Sequence, residues 1–600
     1  MDTKQNIKGA EFLIREVESD EIFITEEFTE EQQMMREAVQ DFMDREVLPN
    51  LERFENKDYG LTESTMKQLG EMGLLGVSIP EQYGGIGMGF VATMLVTDYV
   101  SGATGSLSTA YGAHTGIGTM PIYLYGNEVQ KQKYLPDLTA GTKFGAYCLT
   151  EPEAGSDANS GKTTAVLSDD GKHYIINGQK MWISNAGFAE TLIVFARIED
   201  DINITAFVMN FDKNNPNGVE LGEEEHKLGI KASSTRQVFF TNTKIPVEDM
   251  LGERGKGFKI ALNSLNVGRI KLAAGCNDAQ RRTITESVKY ANERIQFKTP
   301  IAQFGAIQKK LADMATKSYV SDAGIYRAAM DIEKKIDELV AEGLTLQKAK
   351  LKAFSEFAIE AAILKVYVSE AVQFVTDEGI QIFGGMGFSK DTPMEAAWRD
   401  ARITRIYEGT NEINRLLTVS MLLKKAMKGD IDLIGPATAV GKSLMAIPSF
   451  ETPDYSELFS EEKEMIAKLK KAFLMIAGSA VQKYGMDLQN HQQLILSASE
   501  LMIEVYMAES ALLKAEKLAK KKGEKLVSGQ IAMARLNLFN AVESVSKNAK
   551  EAILYMAEGD ERRMMLMGLK RFTKYTNYPN TLALRKDIAE KVIEANSYCF

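Results

Sequence analysis

The run Arg402-Ile403-Thr404-Arg405-Ile406-Tyr407-Glu408-Gly409-Thr410-Asn411-Glu412-Ile413-Asn414-Arg415 places a glutamate at the break between two helical patterns. Apolar residues at helical spacing resume after this break, and Thr410 can cap the helix that they predict. Gly409 leaves no side chain next to the Glu408 carboxylate, so another molecule can approach the backbone there. This arrangement suits a buried general base. From the stretch alone, the alternative interpretation is a solvated acid at a helix start.

The composition excludes several classes of protein. The 600 residues are 44% hydrophobic and 26% charged, as in globular proteins with large cores. A net charge of −11 argues against nucleic acid as the partner. The three cysteines and four histidines are scattered without the spacing of a disulfide framework or a metal site. We therefore expect no bound metal.

The first residues of the chain and its apolar runs bear on location. The N-terminal residues are acidic and lack the apolar core of a secretory signal and the arginines of a transit peptide. No apolar run reaches the roughly 18–20 residues that span a bilayer. We expect a soluble, cytoplasmic protein.

The order of helical and β patterns predicts a mainly α fold with a small β-barrel. The expected order is an N-terminal helical domain, a middle β domain, a C-terminal four-helix bundle and an extra helical domain. The predicted segments are a lead-in at 1–27, helices at 28–145, the β domain at 146–258, the bundle at 259–427, a linker at 428–455 and the extra helices at 456–600.

The middle segment has short β-rich runs separated by turn signals. Residues 192–196, 204–208 and 237–240 are such runs, and the dipeptide Asn177-Gly178 predicts a turn inside residues 172–183. This spacing favours a small antiparallel barrel or sandwich.

Two helical stretches leave alternatives open. Residues 101–110 carry almost only small side chains, which suit either tight helix packing or a slot for a long apolar chain. Helix residues 461–480 carry an apolar stripe with lysines nearby, which suits either burial in a bundle or contact with a membrane surface. The stripe consists of Met465, Ile466, Leu469, Phe473 and Leu474.

Several motifs in a fixed order resemble those of the acyl-CoA dehydrogenases. The resemblance covers roughly residues 30–427 and continues less specifically into the C-terminal helices. With these additional helices the chain resembles the very-long-chain branch of the family. The motifs are residues 146–157 (AYCLTEPEAGSD), 180–185 (KMWISN), 227–231 (KLGIK), 294–297 (RIQF), 381–388 (QIFGGMGF) and 407–410 (YEGT).

The resemblance implies oxidation of an acyl-CoA thioester to the trans-2-enoyl-CoA. Glu408 would remove the α-proton while the β-hydrogen leaves as hydride to flavin N5. The amide of Glu408 would help to hold the thioester carbonyl oxygen. Some relatives carry their base directly before a helix arginine, but Gly268 stands there before Arg269. We therefore expect straight-chain substrates, and the small residues at 101–110 suggest long ones.

The resemblance also implies an FAD site and a CoA site. Ser184 replaces a common threonine, and Lys298 stands where the family often has glycine, so a local backbone difference is expected there. The residues implied for the flavin are Tyr147, Leu149, Thr150, Gly155, Ser156, Trp182, Ile183, Ser184, Thr410 and Glu412, with Arg294, Gln296, Phe297, Gln381, Gly384 and Gly385 meeting the FAD of a neighbouring subunit. The residues implied for acyl-CoA are Ser156, Asn266, Arg269 and Gly409.

Contacts across subunits imply a homo-oligomer, and we favour a dimer over a tetramer because the extra helices would cover the tetramer surface. An electron-transfer flavoprotein would accept the electrons. Two alternatives share this fold: an acyl-CoA oxidase that passes electrons to oxygen, and a non-catalytic assembly scaffold. The joint presence of Glu408, Thr150, Trp182 and Ser184 disfavours the scaffold.

Overall fold

The computed structural model describes residues 6–444 and 454–600. Residues 1–5 of the predicted lead-in and residues 445–453 of the predicted linker lie outside the described residues. Helices, a β region, a second group of helices and a third group follow one another along the chain. This order confirms the predicted fold class. In the described part of the chain, no helix combines the length and the apolar character needed to cross a bilayer.

The N-terminal helices begin where the sequence predicts. Thr29 caps the first helix, since its Oγ1 accepts from the Gln32 amide at 3.2 Å and the Gln32 side chain accepts from the Thr29 amide at 3.0 Å. The glycine-rich residues 84–89 form a turn before a helix. The helices are α1 (Glu30–Phe42), α2 (Leu51–Glu55), α3 (Tyr59–Glu71), α4 (Phe90–Val100), α5 (Gly105–Gly112), α6 (Met120–Tyr125) and α7 (Glu128–Ala140).

The middle region is an eight-stranded sheet with the order β6-β7-β3-β2-β4-β5-β8, in which β1 pairs with β4. The expectation of a purely antiparallel arrangement is wrong, because both β1 and β2 run parallel to β4. The strands are β1 (Gly145–Cys148), β2 (Thr164–Leu167), β3 (His173–Ser184), β4 (Thr191–Ile198), β5 (Thr205–Asn210), β6 (Val219–Glu224), β7 (Thr235–Pro246) and β8 (Met250–Leu251).

The dipeptide Asn177-Gly178 does not form the predicted turn. It lies inside the continuous strand β3, at a shift in register against β7. A Cβ atom on Gly178 would come within 2.5 Å of the Thr163 side chain. Glycine is therefore needed at this bulge for close approach of a neighbouring segment rather than for chain reversal.

The second helical group supplies most of the site. Within the predicted bundle, the helical stretch after residue 257 is interrupted at Cys276 and the stretch after residue 346 is interrupted at Phe357. Helices α8, α9, α10 and α12 pack against one another as the bundle. The elements are α8 (Gly257–Gly275), α9 (Asn277–Glu293), β9 (Ile295–Gln296), β10 (Thr299–Pro300), α10 (Gly305–Ala341), α11 (Leu346–Glu356), α12 (Ala358–Phe383), α13 (Gly385–Phe388), α14 (Met394–Ile403) and α15 (Asn411–Lys428).

The third group of helices packs on α10 and α15 and shares one hydrophobic core with the other helices. The apolar stripe on residues 461–480 is buried against neighbouring helices, because all five of its side chains are at most 6% exposed. The bundle interpretation of this stripe is thus confirmed. The helices are α16 (Ile434–Leu444), which lies inside the predicted linker, α17 (Ser460–Tyr484), α18 (Gln492–Lys522), α19 (Ser528–Met556), α20 (Gly559–Phe572) and α21 (Thr581–Ala595).

The described part of the lead-in packs against helix α18. Phe12 and Leu13 are buried, and the ring of Phe12 meets that of Tyr506 on α18 at a centroid distance of 4.9 Å. Lys517 of the same helix donates to the Ile22 carbonyl oxygen and to the Glu27 carboxylate. Apolar burial and ion pairs thus fix this segment to helices far along the chain.

Candidate active site

The loop between α14 and α15, residues 404–410, holds Glu408 in an uncommon backbone conformation. Its φ is 59°, and the φ of Gly409 is 79°. A non-glycine residue with positive φ is uncommon and persists only where its surroundings enforce it. Thr410 then caps α15 as predicted, since its Oγ1 accepts from the Ile413 amide at 3.3 Å. The prediction of a rigid turn between helices is confirmed.

Side chains from neighbouring helices hold the carbonyl groups of this loop. Arg269 on α8 donates from Nε to the Glu408 carbonyl oxygen over 3.2 Å. Lys365 on α12 donates to the Gly409 carbonyl oxygen over 2.8 Å, and Asn414 on α15 donates to the same oxygen over 2.7 Å. These bonds enforce the strained turn. Within the described residues, the Glu408 amide N–H donates to no protein acceptor.

The Glu408 carboxylate faces helix α8 at Gly268. A Cβ atom at Gly268 would lie 2.5 Å from Oε2, so no larger residue fits there without moving the carboxylate. Oε2 is shielded from solvent and has no hydrogen-bond partner in the part of the chain that the structure describes. Burial raises the pKa of Glu408 to about 7, although the positive charges of Arg269 and Lys365 act in the opposite direction.

Lys365 is a site residue that the sequence analysis missed. It lies in the apolar helix α12 and is fully buried, and burial lowers its pKa to about 7 while the Glu408 charge raises it. Besides the Gly409 carbonyl, its Nζ donates to Asn411 Oδ1 over 2.7 Å. A lone lysine inside an apolar helical run was the available signal, since burial of a lysine requires a polar partner.

The residues expected at the CoA side divide into buried and exposed ones. Asn266 and Arg269 are buried, and Arg269 Nη1 donates to Asn266 Oδ1 over 3.0 Å. Ser156 is exposed. Burial lowers the pKa of Arg269 to about 10.

Strand β1 carries the first segment expected at the flavin. Tyr147 is buried, its hydroxyl has no partner among the described residues, and burial together with the Glu408 charge raises its pKa. Leu149 is buried and Thr150 is half-buried. The Thr150 carbonyl oxygen accepts from the Met181 amide over 2.9 Å, which joins this segment to β3.

Strand β3 carries the second flavin segment next to the first. Trp182 is 53% exposed although it is a tryptophan, and its φ is 60°. Ile183 is buried and Ser184 is half-buried. A Cβ atom on the exposed Gly155 would meet nothing within 4 Å. An exposed aromatic face beside open backbone fits a large flat group such as an isoalloxazine ring.

A buried ion pair supports both flavin segments from behind. Lys180 Nζ donates to Glu151 Oε1 over 2.6 Å and to the Leu149 carbonyl oxygen over 3.2 Å. Glu151 also accepts from the amide of Thr163. Its hydrogen-bonded partners outweigh burial and hold the pKa of Glu151 below its usual value.

The residues expected to meet the FAD of a second subunit lie at or just after the ends of helices α9 and α12. Gln296 and the 90% exposed Phe297 belong to the hairpin of β9 and β10. Phe297 and Lys298 form its two-residue turn with φ of 52° and 64°, a conformation for which glycine is favoured. Lys298 therefore adopts a backbone conformation that is uncommon for a residue other than glycine.

The end of α12 lies close to this hairpin. The ring of Phe383 stacks on Tyr290 of α9 at a centroid distance of 4.1 Å, just before α9 leads into Arg294. Gln381 is exposed, and a Cβ atom on Gly384 or Gly385 would meet nothing within 4 Å. Both expected segments thus offer exposed, open surface. Glu412, in the first turn of α15, is also exposed.

The small residues at 101–110 pack tightly, since a Cβ atom on Gly105 would lie 2.8 Å from the Asp400 side chain, and open space is found two residues beyond the stretch. A Cβ atom on Gly275 of α8 would lie 3.1 Å from Ser101 Oγ, so α8 packs closely there. A Cβ atom on Gly112 at the end of α5 would meet nothing within 4 Å. For metal ions, the described residues offer no group of three or more His, Cys, Asp or Glu side chains.

Comparisons with known domains and sequences point to one family. The chain matches the acyl-CoA dehydrogenase N-terminal domain over residues 29–142, the middle domain over 146–243 and C-terminal domains over 255–423 and 468–571. It is 41% identical over 591 residues to a probable acyl-CoA dehydrogenase of Bacillus subtilis (strain 168), with 98% of each chain covered. It is 40% identical to the mitochondrial very long-chain specific acyl-CoA dehydrogenase of Rattus norvegicus over 64% of this chain and 55% of that one.

Solved structures give the same result. An acyl-CoA dehydrogenase complexed with FAD from Bacillus anthracis superposes with a TM-score of 0.95 at 40% identity, over 99% of this chain and 100% of that chain. The butyryl-CoA dehydrogenase of Megasphaera elsdenii gives a TM-score of 0.60 at 35% identity over 66% of this chain and 98% of that one.

Proposed function

Since the chain belongs to the acyl-CoA dehydrogenase family, a family of FAD enzymes, we propose that it oxidises acyl-CoA thioesters to trans-2-enoyl-CoA with Glu408 as the base. The observation that carries this proposal is the Glu408 carboxylate itself, which has a raised pKa and a buried oxygen that no described residue hydrogen-bonds. A base with a pKa close to neutrality suits abstraction of a weakly acidic α-proton.

The neighbouring backbone fits the second requirement, a more acidic α-proton. The Glu408 amide has no acceptor within the described part of the protein, so it is free to donate to a thioester carbonyl oxygen. Arg269 and Lys365 hold this turn in place. The Glu408 amide is thus a preorganised donor, and such a donor stabilises the negative charge that develops on the carbonyl oxygen. Gly409 and Gly268 keep bulk away from both groups.

We assign the flavin to the surface at the exposed Trp182, together with the half-buried Thr150 and Ser184 and the buried Tyr147 next to it. Leu149, Gly155, Ser156 and Ile183 lie around this surface, and Thr410 and Glu412 lie at the start of α15. When bound there, FAD supplies the acceptor for the hydride that leaves the β-carbon. Arg294, Gln296, Phe297, Gln381, Gly384 and Gly385 would reach the FAD of a second copy of the chain. Their exposure within one chain supports this role.

Long straight acyl chains are the proposed substrates, as in fatty-acid β-oxidation. The open space at Gly112 and the glycine at 268, where some relatives carry their base, support this proposal. Ser156, Asn266, Arg269 and Gly409 would contribute to the CoA and thioester end, with Arg269 acting through the Glu408 carbonyl.

The partners and assembly follow from the same proposal. We propose an electron-transfer flavoprotein as electron acceptor and a homodimer as the assembly, with the domain division 28–145, 146–258, 259–427 and 456–600. Contact with a membrane surface and the cytoplasmic location stay predictions. The stripe at 461–480 no longer supports the former, because it is buried.

Anaerobic titration of the FAD-loaded protein with butyryl-, octanoyl- and palmitoyl-CoA tests the function. We expect palmitoyl-CoA to bleach the flavin, and Glu408→Gln to slow bleaching by about 10³-fold without loss of FAD. Glu286→Gln, which alters a surface ion pair, is the matched control. Rapid bleaching of Glu408→Gln contradicts the assignment of the base, and fast reoxidation of the reduced protein by oxygen favours the oxidase.

A further inference from the structure

The C-terminal helix α18 is connected to the Glu408 loop by a continuous chain of hydrogen bonds and ion pairs. We propose that Glu500 on α18 is a positioning residue for the reaction, acting on this loop through Arg415, Glu370, Asn411 and Lys365. This inference rests on the proposed function of Glu408.

The connection starts at the backbone carbonyl next to the base. Lys365 Nζ donates to the Gly409 carbonyl oxygen over 2.8 Å and to Asn411 Oδ1 over 2.7 Å. A shift of Lys365 therefore shifts the residue that follows Glu408. Because φ is positive at both Glu408 and Gly409, the turn depends on such external contacts to keep its shape.

Asn411 links Lys365 to a carboxylate on α12 through a second hydrogen bond. Its Nδ2 donates to Glu370 Oε1 over 3.0 Å. Arg415 on α15 binds both oxygens of this carboxylate, with Nη1 to Oε1 at 2.8 Å and Nη2 to Oε2 at 3.0 Å. This fork geometry fixes direction as well as distance. The Arg415 contacts also keep the pKa of Glu370 below its usual value despite burial, so the pair is charged.

The last link reaches the C-terminal helices. Arg415 Nε donates to Glu500 Oε2 over 3.0 Å, so the guanidinium is held on one edge by α12 and on another by α18. One helical turn away, Thr418 Oγ1 and Ser499 Oγ share a buried hydrogen bond of 2.8 Å. Helix α18 therefore sets both the place of α15 and the angle of the Arg415 fork.

The consequence for the reaction is geometric. Loss of the Glu500 carboxylate leaves Arg415 with one anchor and lets the fork, Asn411 and Lys365 relax. Small displacements of a base from its reacting geometry cost up to about 10²-fold in rate. Binding of acyl-CoA and FAD uses surfaces that do not include Glu500, so affinity should hardly change.

The test compares Glu500→Ala and Glu500→Gln with Glu516→Ala in the FAD-loaded, full-length protein. Glu516 lies on the same helix but pairs with Lys463 of α17, outside the connection. We expect the rate of flavin bleaching by palmitoyl-CoA to fall about tenfold in Glu500→Ala and less in Glu500→Gln, with unchanged Kd for acyl-CoA and unchanged FAD content. Glu516→Ala should bleach like the unmodified protein.

Two results overturn the proposal. One is a bleaching rate per bound FAD in both Glu500 variants equal to that of the unmodified protein, whatever happens to Tm. The other is full additivity of Glu500→Gln and Lys365→Met in a double-mutant cycle, since residues on one connection must be coupled. Glu500→Gln keeps the size of the side chain and serves if Glu500→Ala does not fold. Failure of the proposed function gives a different result, because none of the acyl-CoA substrates then bleaches the flavin of the unmodified protein.

Discussion

Gly268 and the Glu408 carboxylate form a complementary pair: the helix lacks a side chain where the acid lies. A Cβ atom at position 268 would approach Oε2, the carboxylate carbon and Oε1 at 2.5, 2.7 and 2.8 Å. The base therefore occupies the volume that any other residue on α8 would fill.

Gly268→Ala should thus displace the carboxylate rather than break the helix. We expect flavin bleaching to slow by about 10²-fold, while Tm changes little because alanine is a better helix former than glycine. Stopped-flow measurement under anaerobic conditions reads the rate. Gly441→Ala on α16, where a Cβ atom meets nothing within 4 Å, is the control. An unchanged bleaching rate in Gly268→Ala would contradict the claim that the Glu408 carboxylate reacts from this position.

The pKa of Glu408 sets a pH dependence. Because the base acts as a carboxylate, the bleaching rate should rise with pH through about 7. Lys365→Met removes a positive charge that lowers this pKa, so the midpoint should move to higher pH. Lys428→Met, at the exposed end of α15, should leave the midpoint in place. A downward shift in Lys365→Met contradicts the electrostatic role of Lys365.

The ion pair behind the flavin segments should matter for both stability and FAD retention. Lys180→Met leaves the buried Glu151 carboxylate without its cation, which typically costs about 3–5 kcal/mol. Lys162→Met removes the exposed pair with Glu153 and should cost less than about 1 kcal/mol. Urea unfolding and absorbance of bound FAD give the comparison. If both variants lose the same free energy of unfolding, burial of the ion pair is not what makes it important.

Lys271 is a buried lysine that has no carboxylate partner among residues 6–444 and 454–600. Its Nζ donates to Thr115 Oγ1 over 2.5 Å and lies over the Tyr111 ring, and burial lowers its pKa from 10.5 to about 7. The unfolded chain binds this proton more tightly, so the group destabilises the fold increasingly as pH falls from 10.5 to 7, and fully below 7.

Lys271→Met should therefore stabilise the protein by about 1–3 kcal/mol at pH 6, with a gain that shrinks toward pH 10. Urea unfolding at pH 6, 8 and 9.5 measures this trend. The exposed Lys259→Met on the same helix should give no pH-dependent gain. A gain that increases with pH for Lys271→Met contradicts the lowered pKa.

Local signals predicted the turn at Glu408 well. Helical spacing on either side, Gly409 and the cap at Thr410 all lie within a few residues, and the structure has each of them where expected. For Lys365 the local pattern indicated only a buried lysine that needs a polar partner, and not which partner. Its partner is the carbonyl oxygen of Gly409, 44 residues away, and the apolar pattern of α12 gives no indication of that contact.

Tertiary contacts also overruled one strong local signal. Asn177-Gly178 is typical of a hairpin turn, yet β3 pairs with β7 on both sides of it and Thr163 lies against the glycine. Parallel pairing of β1 and β2 with β4 was equally hidden, because strand direction depends on the path of the intervening chain and not on the pattern within a strand.

The attachment of residues 12–27 to α18 has a consequence for synthesis in the cell. Glu27 and its partner Lys517 are separated by 490 residues. At about 5–20 residues per second, a ribosome needs about 25–100 s to make the intervening chain. Phe12 and Leu13 emerge early and lack the surface of α18 for all of that time. The nascent chain thus presents an apolar segment that chaperones can bind until the C-terminal helices leave the ribosome.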